Sequence, residues 1–159
     1  MAQPANPEAS PWIGAAASAA AQSHSAIFEM SRQAESAVID PRDPGGFPSE
    51  WRRAIAARIA TLNALPELAA HYLAGVTDPA LRGLADPSAA GRDTRERSVI
   101  TFMDRVATQP RAVQAEEIEG LKAAGVAEPD IVRLCELNAF MSYQCRVFAG
   151  LAALKGASA

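Results

Sequence analysis

From residue 50 onward, apolar residues recur at the three- and four-residue intervals of helix faces. Trp51, Ile55, Ile59 and Leu62 form one such face and predict a helix over 50–63, with Ser49 as its candidate N-cap. Pro66 opens a second helix that carries Glu67, Leu68, His71 and Tyr72 and ends at Gly75. A Pro/Gly-containing connector over 77–91 has room for one short helix near 79–85. Asp93 followed by Glu96 is a capping-box pattern, opening a helix that buries Val99, Ile100, Phe102, Met103 and Val106 and stops before Pro110. A shorter helix over 115–124 presents Ile118 and Leu121 and closes on Gly125 at its C′ position.

Pro129 at the first helical position, with Asp130 beside it, starts a final helix reaching about residue 155. This helix carries two apolar seams. Ile131, Leu134, Met141, Cys145 and Phe148 follow one spacing interrupted by Asn138; Leu137, Phe140, Val147, Leu151 and Leu154 follow another interrupted by Gln144. A helix apolar on two sides is central in its domain or faces a second subunit. Upstream, an Ala-rich helical stretch over 12–39, broken near 23–25, ends in the turn-rich run DPRDPGG. The organisation expected is a leader and helical arm over 1–46 and a helical core over 47–156, compact as one domain.

Composition agrees with an all-α reading. The chain has 36 alanines against 21 β-branched residues, and Ala favours helix where β-branched residues favour strand. Small apolar residues bring little volume per helix, so close packing on neighbours or on another subunit is expected. A net charge of −3 with no long run of either sign gives no footprint for nucleic acid or an anionic membrane surface. The N-terminus lacks the basic and strongly apolar regions of a secretory signal, and no stretch is apolar enough to span a bilayer. The expectation is a cytoplasmic protein.

Cys135 and Cys145 fall ten residues apart in one predicted helix. At about 1.5 Å rise per residue their Cα atoms are roughly 15 Å apart, too far for a disulfide. They read as small buried hydrophobes, with an intersubunit pairing or a sensor thiol as alternatives. RIATLNAL (58–65) and RLCELNAF (133–140) share four of eight positions at an offset of 75, including two of the chain's three asparagines, Asn63 and Asn138. This suggests an internal pseudo-repeat that sets His71 opposite Arg146 and Glu67 opposite Ser142.

The run LKAAGVAEPDIVRL, followed by a helix containing YQCRVFAGL, resembles the C-terminal half of the AhpD-like/carboxymuconolactone decarboxylase superfamily, in particular its peroxidase-related branch. DPRDPGGFPSEWRRAIAARIATLNALPELAAHY is similar to the matching N-terminal half, so the resemblance covers residues 40–155. It implies an all-α AhpD-like domain that assembles into trimers or hexamers. Hydroperoxidases of this superfamily carry C-x-x-C-x-x-x-H, with an upstream acid. Counted back from His71, the two thiol positions fall on Ala64 and Glu67, and the acid position falls on Arg52, with Glu50 the nearest carboxylate. A dithiol mechanism therefore lacks its nucleophile. The phrase PELAAH does resemble the E-L-x-x-H of the decarboxylase members.

The chemistry expected follows from that phrase. Glu67 and His71 share a helix face four residues apart and could form a general acid–base pair acting on a small organic acid or lactone. Arg146, a charge in an otherwise apolar helix, is either an ion-pair partner of Glu67 or Glu136 or an anchor for a substrate carboxylate. His71 and Glu67 make only half a metal site, so neither metal nor cofactor is expected. His24 reads as a surface or packing residue, and Trp12, Trp51 and Tyr143 as core or interface anchors. Two other readings stand beside the acid–base one: a non-catalytic helical oligomer binding a small molecule or partner enzyme, and residual peroxidase activity through a single cysteine.

Overall fold

A computed structural model describes residues 25–156, which form seven α-helices and one 3-10 turn with no strand among them. In chain order these are α1 (Ser25–Ile39), α2 (Ser49–Leu62), α3 (Pro66–Leu73), α4 (Pro79–Gly83), α5 (Thr94–Thr108), the 3-10 turn Pro110–Ala112, α6 (Ala115–Ala123) and α7 (Glu128–Gly156). Trp12 and His24 lie outside the described residues. No described helix is long and apolar enough to cross a membrane.

The hub is α2. Trp51, Arg52 and every residue from Ala54 to Ala60 are buried, and α2 packs on α1, α3, α4, α5 and α7. Ala54, Ala56, Ala57 and Ala60 are completely covered, so the small side chains let neighbours approach on several sides at once. Ile55 and Ile59 supply the volume, each burial worth on the order of 2–3 kcal/mol. The second central element is α7, which packs on α1, α2, α5 and α6. Leu134, Leu137 and Met141 are sealed, and the two interruptions of its seams, Asn138 and Gln144, are buried with them. Of the two roles its double seam allowed, the central one accounts for the described residues.

Two arginines make the hub possible. Arg52, 2% exposed, donates from Nε to the Phe47 carbonyl (2.8 Å) and from its two terminal nitrogens to those of Val38 (3.1 Å) and Pro44 (3.0 Å). Burial, followed by the nearby charge of Arg133, lowers its pKa from the usual arginine value. Arg58, also 2% exposed, grips Asp104 on α5 with two 2.7 Å bonds and reaches the carbonyls of Leu84, Asp86, Pro87 and Ala89. One guanidinium thereby fixes the 84–89 loop to two helices, using the fork geometry that a lysine lacks.

Helix ends follow the sequence closely, with instructive departures. The N-cap of α2 is Pro48, Ser49 being its first residue. Asp93 caps α5 by accepting from the Glu96 amide (2.8 Å), but Glu96 does not close the box: its carboxylate takes Trp51 Nε1 (3.2 Å) and three donors of Arg92. Those bonds, led by the Arg92 side chain, lower the Glu96 pKa. The loop before α2 needs its glycines: Gly45 has φ +57°, and the Gly46 amide donates to both oxygens of Asp130 at 3.1–3.2 Å. A Cβ on Gly45 would stand 2.0 Å from Asp130 Oδ1 at a φ that L residues rarely adopt, so a glycine at 45 lets this loop lie against the start of α7.

The two segments of the suggested repeat take different courses. RIATLNAL closes α2, with Ala64 at φ +57°, whereas RLCELNAF runs unbroken through α7.

Candidate active site

His71 sits in the last turn of α3, half-buried, with its Nε2 3.5 Å from Glu35 Oε1 on α1. Both side chains are partly shielded, at 29% and 18% exposure. Glu67, the expected partner, lies in the first turn of α3 and is exposed. The carboxylate that meets the imidazole thus comes from a different helix. Helical spacing permits a pair at i and i+4, but the packing of α1 decides which acid arrives.

Tyr72, next in sequence, is entirely buried and edge-on to His71, with ring centroids 5.1 Å apart. Its hydroxyl is close enough to Glu35 to feel its charge but makes no hydrogen bond of good geometry. Burial first, then the charge of Glu35, pushes the phenol far above its usual range, so Tyr72 stays neutral under physiological conditions. His71, Glu35 and Tyr72 therefore form one polar cluster between α1 and α3.

Arg146 is exposed on α7 and makes no ion pair or side-chain hydrogen bond among the described residues. It borders a recess of about 190 Å³ with Asn63, Leu65, Ala107, Ser142, Cys145 and Ala149. Neither His71 nor Glu35 lines that recess. The three residues singled out from sequence are thus not gathered in one described cavity, and neither Glu67 nor Glu136 pairs with Arg146.

The thiols lie on α7: Cys145 is buried as expected, but Cys135, which belongs to neither apolar seam, is exposed rather than a buried hydrophobe. Burial raises both pKa values; Glu136 adds to the rise at Cys135, and Arg146 partly opposes it at Cys145. Neither environment favours the thiolate that peroxide chemistry requires. Ala64 and Glu67 occupy the positions where a dithiol pair would stand, and both are exposed. Glu50, the nearest acid to the expected upstream position, accepts from the Thr77 hydroxyl and amide and from the Asp78 amide, holding the chain ahead of α4. These bonds, the Thr77 hydroxyl foremost, lower its pKa and give it a structural task. No group of three His, Cys, Asp or Glu residues suited to a metal is present among the described residues.

Sequence reasoning missed Glu35 because nothing local marks it. It is 36 positions from His71 in an Ala/Ser-rich helix, and only tertiary packing joins them.

No protein-family profile matches this chain, and no curated protein does. Among solved structures, an uncharacterized peroxidase-related protein from Silicibacter sp. TM1040 aligns with a TM-score of 0.60 at 14% identity, over 80% of this chain and 69% of its own. The shared property is the fold. This chain is all-helical in its described residues and shares that structure's fold.

Proposed function

We infer that this protein is an AhpD-like/carboxymuconolactone decarboxylase-like protein that has left thiol chemistry behind and uses His71 for proton transfer on a small organic acid or lactone. The observation that carries the reading is the half-buried contact of His71 Nε2 with Glu35 Oε1 at 3.5 Å. A carboxylate beside the ring orients the imidazole as a general acid–base group for proton transfer next to a carbonyl. Tyr72 backs the pair with a neutral, buried phenol ring. Glu67, exposed one turn earlier, is a second carboxylate available to substrate on the same helix. The absence of thiols at Ala64 and Glu67, and the raised pKa values of Cys135 and Cys145, weigh against peroxidase catalysis.

The test is a thermal-shift screen of small carboxylic acids and lactones on the wild type, His71→Ala and Glu35→Gln. A ligand that raises the wild-type midpoint, does nothing for His71→Ala and less for Glu35→Gln supports the assignment. Equal stabilisation of all three proteins would overturn it.

A further inference from the structure

The long helix α7 carries a third face that neither predicted seam includes. Val132, Glu136, Ala139, Tyr143, Arg146 and Gly150 are all exposed and spaced 4, 3, 4, 3 and 4 residues apart. At about 100° per residue these six positions fall within one narrow stripe, running about 27 Å along the helix. The stripe is apolar or small at four of its six positions. Val132 is 58% exposed and Tyr143 39%, two of the three large apolar side chains that stand out most from the described surface. The Tyr143 hydroxyl lies 2.6 Å from that of Ser31, so α1 borders the stripe there.

The two charges of the stripe decide what covers it. Glu136 and Arg146 have opposite sign, and neither makes an ion pair or side-chain hydrogen bond among the described residues. Ten residues apart on one helix, they cannot reach each other. The 4,3 spacing is that of alternating a and d positions, with Glu136, Tyr143 and Gly150 at a, and Val132, Ala139 and Arg146 at d. In an antiparallel pair of such helices each a layer faces a d layer. The register centred on residue 141 then sets Glu136 against Arg146 of the other copy twice over, Tyr143 against Ala139, and Val132 against Gly150. Each bulky side chain meets a small one, and each charge meets its opposite.

We propose that the exposed stripe of α7 is a self-complementary docking surface for a second copy of this chain, packed antiparallel about a twofold axis and held in register by reciprocal Glu136 and Arg146 pairs. The match is isologous, as a closed twofold contact requires. It also gives Arg146 an assignment independent of the acid–base site, so either can stand without the other.

Sedimentation of the full-length protein tests this by charge exchange. The wild type should dimerise, more weakly as salt rises, and Glu136→Arg or Arg146→Glu should each weaken the dimer by about tenfold or more. The double variant E136R/R146E should return to within about threefold of wild type, a rescue that general destabilisation does not produce. In a Cys135→Ala background, E136C/R146C should form an interchain disulfide between positions 136 and 146 under mild air oxidation. A wild type that is monomeric at on the order of 100 μM, or a double variant as weak as either single one, would overturn the proposal. So would a monomer whose Glu136 resists carbodiimide labelling, because another segment of the same chain would then cover the stripe.

Discussion

Residues 58–65 and 133–140 begin alike, with an arginine, an apolar residue and then an asparagine five positions after the arginine, yet the fold uses them in opposite ways. In the first, α2 ends in a Schellman arrangement: Ala64 N–H reaches the Thr61 carbonyl, Leu65 N–H reaches that of Ala60, and Ala64 takes the left-handed conformation usually given to glycine. In the second, the same pattern continues for more than another dozen helical residues. The cause is one position further on. Pro66 cannot continue a helix and restricts Leu65 before it, whereas its counterpart at the offset of 75 is Met141. The arginines diverge too: Arg58 is sealed among a carboxylate and four carbonyls, while Arg133 is partly exposed between Asp130 and Asp43. Sequence likeness over eight residues specifies local helix. What ends the helix and what receives the side chains come from outside the segment.

The largest effect that would sharpen this contrast is at the arginines. Arg58→Met should cost roughly 3–5 kcal/mol, because it strands Asp104 and orphans several loop carbonyls. Arg133→Met should cost about 1–2 kcal/mol. Urea unfolding measures both, and equal losses would break the contrast. Next come the asparagines. Asn138 is completely buried, donates from Nδ2 to the Met103 carbonyl at 3.2 Å, and leaves its Oδ1 without a partner, whereas Asn63 is exposed. Asn138→Asp should destabilise by roughly 2–4 kcal/mol at neutral pH, as a buried charge facing a carbonyl oxygen. That loss should shrink as the solution is acidified enough to protonate the new carboxyl, while Asn63→Asp should change stability by under about 1 kcal/mol. The smallest effect carries the clearest sign. Ala64→Gly removes left-handed strain and should be neutral to about 1 kcal/mol stabilising. Ala139→Gly, at the matching position inside α7, should cost about 1 kcal/mol. Identical signs in chemical denaturation would contradict the assignment of different backbone courses.

The same contrast explains what could be read from the chain. Periodicity, Pro66, Gly125, Asp93 and Pro110 placed the helices to within a few residues, because these signals are local and steric. Gly125 lies at φ +83° and closes α6 as expected. The centrality of α2 was hidden because two arginines lie within it, and their burial is tolerable only where the carbonyls of Val38, Pro44, Phe47 and the 84–89 loop and the Asp104 carboxylate receive them. At the candidate site, His71 was legible from the PELAAH phrase. Its partner was not: helical spacing nominates Glu67, and the packing of α1 on the rest of the fold supplies Glu35. Arg146 stood out as a charge in an apolar helix, but the stripe that contains it becomes visible only once the buried positions of α7 are known.

The central claim is that chemistry belongs to the junction of α1 and α3 and that the thiols of α7 are structural. Calorimetric titration of one small carboxylic acid or lactone that binds the wild type, repeated on His71→Ala, Glu35→Gln and the double variant Cys135→Ala/Cys145→Ala, tests it most directly. The account predicts binding abolished in the first, weakened about tenfold or more in the second, and kept within about twofold in the thiol-free protein. Binding that survives in His71→Ala and disappears with the cysteines would contradict it.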